Sequence, residues 1–241
     1  MSEIQKIFDE INKKWTGFGD KIYRGESKKY EEICLPSIWR VNSKYNTKEL
    51  RNSYSDSSIL TKSDMESIGD FINGYGTEYA KDYIFEEIKD KLTDDSIYWL
   101  CLAQHYGVNT RLVDVTYNIL VALYFACSAH FNENGYLYFI AKSSCRNLSM
   151  PIPGSYPKTI SDFFETDGNS KSLMKVPFLF EPLIPNERIN RQSGAFIWTK
   201  EIGNTCWRGG GIVEIKVNQK KEILNELDGI GISDKFIYPN K

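Results

Sequence analysis

The sequence predicts an α+β fold, and three observations carry that prediction. Apolar residues recur at helical spacing near the N-terminus and again after residue 94. Short aromatic and β-branched runs, the mark of strands, concentrate in the second half. Hydrophobic residues make up 41% and aromatics 14% of 241 residues, which suits a sizeable buried core and not a disordered chain. Helices come early and strands mostly late, without regular alternation. One domain spanning 1–241 is therefore expected, with helices mainly in the N-terminal half around a mixed or antiparallel sheet. Residues 1–19 would form an N-terminal helix ahead of a core at 20–241.

The elements follow in order. Ile4, Ile7, Phe8, Ile11 and Trp15 define an amphipathic helix over 3–15, broken by Gly17 and Gly19. Asp20 to Arg24 reads as a short strand ending at Gly25. The polar stretch 43–63 reads as a surface loop. Thr61 and Ser63 ahead of Asp64 and Glu66 open a helical stretch to about Lys91, interrupted near Gly74 and Gly76. Asp94 or Asp95 caps a further helix that runs out at Gly107. Arg111 to Val115 is extended, and Asn118 opens ILVALYFACSA, whose length and alanines favour a core helix over a strand. Asn132 to Gly135 turns into the strand YLYFIA (136–141). Residues 143–175 form a long connection with some helix around Ile160 to Phe164. VPFLFEPLI (176–184), AFIWT (195–199) and GIVEIKV (211–217) read as strands. The last sets Ile212, Glu214 and Lys216 against Val213, Ile215 and Val217. A closing helix from Lys220 to Leu227 stops at Gly229.

Composition excludes several function classes. Lys and Arg total 30 against 32 Asp and Glu, so charge alone does not bind this chain to nucleic acid. Five cysteines form no C-x-x-C pair, and with only His105 and His130 no zinc or other metal site is expected. The pattern points to a reducing, cytoplasmic setting. The start MSEIQKIFDE has no signal-peptide layout, and the longest apolar stretch, Ile119 to Ala129, is too short for a bilayer. No membrane partner is expected. Neither G-x-x-x-x-G-K-[ST] nor a G-x-S-x-G elbow occurs, and Gly209-Gly210-Gly211 precedes a strand instead of a helix.

What remains is a set of polar residues in apolar surroundings. LAQHYGVNTRLVDVTYN carries Gln104, His105, Thr110, Arg111, Asp114 and Thr116 between two apolar segments. Buried Arg111 and Asp114 would have to pair, which makes them, with Thr116, a structural network in which Asp114 or Thr116 caps the next helix. His105 follows a helix end, where a side chain can face a cleft. Arg24 ends a strand and is followed by Gly25, which joins a planar five-donor fork to a backbone that a ligand can approach closely. Arg191-Gln192-Ser193-Gly194 brings another arginine and an amide, although taken alone the segment is better explained as a solvated turn.

These residues carry a resemblance. Tyr23-Arg24-Gly25, the segment Leu35 to Arg40 and the block Gln104-His105-Tyr106-Gly107 through Thr116 resemble the FRG domain family, as do Ala122 to Ala126. RINRQSGAF (188–196) and the ending LDGIGISDKFIYP extend the similarity across most of the chain. Tyr23 stands for Phe, Asn109 for the usual Pro, and Val113 and Val115 replace residues of the LLDW run. The aromatic-Arg-Gly strand end is further similar to the first motif of mono-ADP-ribosyltransferases, where arginine grips the pyrophosphate of NAD. That likeness implies an ADP-ribosyltransferase-like fold and a nucleotide ligand, with NAD as substrate and no permanently bound cofactor. Arg24, Gly25, Gln104, Tyr106, Thr110, Arg191 and Gln192 would bind ligand. His105 would hold the ribose, and Glu214 on the late strand would be the catalytic carboxylate, with Glu181 and Glu26 as others. The superfamily's E-x-E or Q-x-E is missing, because Gln192-Ser193-Gly194 ends on glycine. The acceptor would be a protein or nucleic acid, in a bacterial defence or toxin setting. The competing expectation is a non-catalytic nucleotide- or nucleic-acid-binding module, with Arg24, Arg40, Arg111 and Arg191 in one basic cleft.

Overall fold

Among the described residues, strands β1 (Lys21–Glu26), β2 (Val113–Thr116), β3 (Gly135–Ala141), β4 (Arg146–Leu148), β5 (Phe178–Phe180), β6 (Gly194–Trp198) and β7 (Gly211–Ile215) form one sheet. Their order is β4-β5-β6-β2-β1-β3-β7. Every neighbouring pair is antiparallel except β4 with β5. Five helices accompany it: α1 (Glu3–Lys14), α2 (Ile119–Cys127), α3 (Glu187–Gln192), α4 (Val217–Gly229) and α5 (Asp234–Ile237). The computed structural model describes residues 2–15, 19–30, 34–37, 40, 104, 110, 112–148, 177–181, 187–198 and 210–239.

The α+β class is as expected. α2 is apolar on every side, as a helix buried all round must be, and six of its residues are buried. Asn118 caps it by accepting the Leu120 N–H at 3.0 Å. It rides directly on the backbone of β1 and β3. A Cβ added at Gly25 would lie 1.8 Å from the Ala122 carbonyl oxygen, and one at Gly135 would lie 2.2 Å from that of Ala126. Val121, Leu123 and Cys127 thereby meet Leu137, Phe139, Val213 and Ile215, with Ile7 and Ile11 of α1 and Ile223 and Leu227 of α4 closing the core. The opposite face of the sheet buries a second cluster around Ile22, Val113, Val115, Tyr138, Ile140, Leu179 and Ile197. α1 starts at a Ser2 cap, and its first free amides, Glu3 and Ile4, donate to the Glu226 carboxylate of α4 at 2.9 and 3.0 Å.

Several expectations need correction. The first strand does not end at Gly25 but continues to Glu26, with Gly25 opposite Leu137. Only Phe178–Phe180 of the 176–184 run is strand. Val217 begins α4 instead of finishing β7, because the Lys216 N–H is taken by the Gln219 side chain and the Val217 N–H by Asn134. The expected connection from 143 begins with a 3-10 turn, Lys142–Ser144, and the short strand β4. Three of the described helices lie in the C-terminal half. The surface loop over 43–63, the helical stretches over 64–91 and near 160–164, and most of the helix before Gly107 fall outside the described residues.

Candidate nucleotide site at the split between β1 and β2

β1 and β3 pair along the whole of β1, from Lys21 opposite Ala141 to Glu26 opposite Tyr136. β1 and β2, by contrast, meet at the single pair Tyr23 and Thr116. Past that pair the Arg24 side chain takes the place of a continuing ladder. Its Nη1 donates to the Asp114 carbonyl at 2.8 Å, and its Nε donates to Glu26 Oε1 at 2.9 Å. Arg24 is 8% exposed and Glu26 3%. Burial opposes the Arg24 charge, but Glu26 above all, then Cys34 and Asp114, holds the guanidinium above its usual range. Burial, and next the Arg24 charge, lower the neighbouring Arg40. Tyr138 is pushed up by burial and then by Glu26.

At this split a cleft of about 480 Å³ opens, within the range of small-molecule sites. Val121, Phe125, Ile189 and Phe196 supply an apolar wall, and the guanidinium groups of Arg24, Arg40 and Arg188 line it with one carboxylate, Asp114. Arg40 also stacks 4.5 Å from the Tyr30 ring, and Arg188 lies 4.9 Å from that of Tyr238.

Six of the expected site and network residues line this cleft: Arg24, Gly25, Gln104, Asp114, Thr116 and Gln192. Their roles differ. Gly25 is the crossing point of α2. Gln192 is 9% exposed and donates through Nε2 to the Ile237 carbonyl at 3.0 Å, so it ties α3 to α5. Thr116 donates to the Gln192 carbonyl at 2.6 Å and accepts from the Asn118 N–H at 2.9 Å. Thr110 does not line the cleft; it is fully buried and donates to Gln104 Oε1 at 2.7 Å. His105, Tyr106 and Arg111 lie outside the described residues.

Three placements run against expectation. Asp114 is not buried and caps no helix. It sits in β2 with 51% of its side chain exposed, because its strand neighbours Val113 and Val115 take the buried face. Arg191 turns away from the cleft to Glu187 at 2.6 Å and the Lys235 carbonyl at 3.3 Å. Glu214 lies on the edge strand β7, two strands from β1, bonded to Lys216 and to Asn134 at 2.8 Å. Among the other acids, Glu181 accepts from Tyr117 and from Lys142 at 2.7 Å, outside the cleft lining. Glu26 backs Arg24 from the buried side. Arg188 is a cleft residue that the sequence pattern does not single out. Once Glu187–Gln192 is read as a helix, position 188 stacks one turn before 192, and both line the cleft, while 187 stacks before 191.

No curated protein and no solved structure matches the chain. The family comparison does match, over residues 19–135. That range holds β1, β2, α2 and the Gln104 to Thr116 block, while α3, β6 and the closing segment lie beyond it. The strand that carries Arg24, the polar block and the helix that packs on both are the matched part: residues 19–135 match the FRG domain family.

Proposed function

We propose that this chain binds a nucleotide of the NAD type in the β1–β2 cleft, and that ADP-ribosyl transfer is the activity it serves. One observation supports this above others: Arg24 is buried, charged and only partly used. Among the described residues two of its five donors are committed, to Glu26 and the Asp114 carbonyl, and the group still lines an open cleft. A planar guanidinium with donors to spare among these contacts, on a strand that borders the cleft, suits a pyrophosphate, and Arg40 and Arg188 add two further charges. NAD would enter as substrate. Transfer chemistry also requires a carboxylate near the ribosyl carbon to stabilise an oxocarbenium-like transition state, and Asp114 is the carboxylate on the cleft wall.

A non-catalytic binding module is favoured by the excess of arginines over carboxylates in the lining. Calorimetric titration with NAD, combined with an assay for nicotinamide release, separates the two. Arg24→Ala is a poor probe, because it leaves the buried Glu26 uncompensated. Arg24→Lys keeps that charge pair and removes the fork. The expected result is NAD binding to the parent protein, weakened about tenfold or more in Arg24→Lys at an unchanged melting temperature. Equal NAD affinity in both proteins would overturn the site. Binding without nicotinamide release would assign the non-catalytic function.

A further inference from the structure

We propose that the cleft selects a phosphate ester of a hydroxylated sugar, a ribonucleotide in preference to a bare anion, and that Asp114 is the group that reads the sugar hydroxyl. This rests on the nucleotide-binding function above and adds the recognition element for the sugar.

An exposed carboxylate ordinarily samples several rotamers in water. Asp114 is held. Its Oδ2 accepts from Gln104 Nε2 at 2.7 Å. The Gln104 amide is fixed in turn, because its Oε1 accepts from Thr110 Oγ1 at 2.7 Å and from Ser37 Oγ at 3.4 Å. Thr110 Oγ1 accepts the Leu112 N–H at 3.0 Å, which leaves its single proton for Gln104. Donation therefore runs one way, from Leu112 through Thr110 and Gln104, and ends on a carboxylate at the cleft wall. The other Asp114 oxygen has no hydrogen-bond partner among the described residues. A directional chain of this kind, anchored on the buried Thr110, orients a functional group ahead of ligand arrival.

An ionised carboxylate only accepts hydrogen bonds and a guanidinium only donates them. Here the two stand side by side, with Arg24 Nη1 3.9 Å from Asp114 Oδ2. Inorganic anions would satisfy the arginines but meet repulsion from Asp114. A neutral sugar would satisfy Asp114 but gain nothing from the positive charge of the arginines that line the cleft. A phosphorylated ribose satisfies both, since its hydroxyls are donors within a few bonds of its phosphate, and carboxylates read ribose hydroxyls in this way in other nucleotide sites.

Calorimetric titration of the full chain with ADP, 2′,3′-dideoxy-ADP and inorganic pyrophosphate tests this. The parent protein should prefer ADP over dideoxy-ADP by about tenfold, the worth of one charge-assisted hydrogen bond. Asp114→Asn should lose that preference and bind pyrophosphate more tightly. Gln104→Ala, which frees the carboxylate without removing it, should show a reduced preference, and it carries the test if the Asn variant fails to fold. The proposal is overturned if the preference survives in both variants, or if the parent binds pyrophosphate yet does not distinguish the two nucleotides. A parent that binds none of the three removes the nucleotide function and this proposal together.

Discussion

Two buried cations, Arg24 and Lys220, show what separates a structural charge from a functional one. Lys220 is fully buried on α4, and its ammonium donates to the carbonyls of Ser27, Ala129 and His130 at 2.6, 3.0 and 3.0 Å. Three donors meet three acceptors. Burial lowers its pKa, and nothing in its bonding is left for a ligand. The arrangement ties the end of β1 and the last turn of α2 to α4, and a cation at a helix C-terminus is also favoured by the dipole. Arg24 is almost as buried, but among the described residues two of its five donors are used, and it faces a cleft. Burial is common to both; unused hydrogen-bonding capacity beside an open volume belongs to Arg24 alone of the two.

The contrast can be broken or sharpened experimentally. The largest effect is expected where both regions depend on the same helix. Gly25→Ala would drive a methyl group into the Ala122 carbonyl, so α2 must shift and the soluble yield should collapse. A normally folded Gly25→Ala protein with intact ligand binding would show that α2 does not set the cleft.

Lys220→Met comes next. It leaves three buried carbonyls without their donor and should cost about 3 kcal/mol in urea unfolding, with ligand affinity unchanged in the fraction that remains folded. A selective loss of affinity at unchanged stability would move Lys220 into the site.

Within α3, Arg188→Ala and Arg191→Ala form a smaller, matched pair. The first should weaken nucleotide binding several-fold. The second breaks a surface pair with Glu187 and a long bond to the Lys235 carbonyl, and should change stability by less than about 1 kcal/mol, with binding intact. The opposite ranking would mean that the helix face towards the cleft has been misassigned.

The smallest effect concerns pH. Burial opposes ionisation of Glu226, but the Ile4 and Glu3 amides outweigh it and hold its pKa below the usual carboxylate value. Its contribution to docking α1 is therefore present above the unfolded-state value of about 4.3 and is lost as pH falls through the lower folded value. Melting temperatures of the parent and Glu226→Gln should differ slightly at pH 7, and the gap should narrow as pH falls below about 4.3. A gap independent of pH in the acid range would rule out the carboxylate charge as its source.

Much of this molecule is legible locally. The helical spacing from Ile4 to Trp15, the alanine-rich apolar run after Asn118 and the alternation of Val213 and Ile215 each determine an element without reference to the rest. The aromatic-Arg-Gly sequence likewise marks Arg24 as unusual, because a strand arginine beside a glycine is poorly explained by packing. The Gln104 to Thr116 block marks a polar cluster, and the family match falls on the same residues.

What only the tertiary structure decided is which of these groups share a cavity. Periodicity tells which residues alternate on a strand, but it does not give the strand's neighbours. Glu214 looked suited to catalysis until the order β2-β1-β3-β7 put it on an edge two strands from Arg24. Asp114 looked like a buried partner for Arg111. It faces the cleft because β2 leaves β1 after one pair and turns Val113 and Val115 to the core. Arg191 and Arg188 exchanged importance because Glu187 and the Lys235 carbonyl hold Arg191 away from the cleft that Arg188 lines. The physical reason is the same each time. Local sequence determines backbone conformation and side-chain phase over a few residues, whereas a site is an agreement between strands and helices as distant in sequence as those of Arg24 and Arg188, reached through pairing and packing that no single segment encodes.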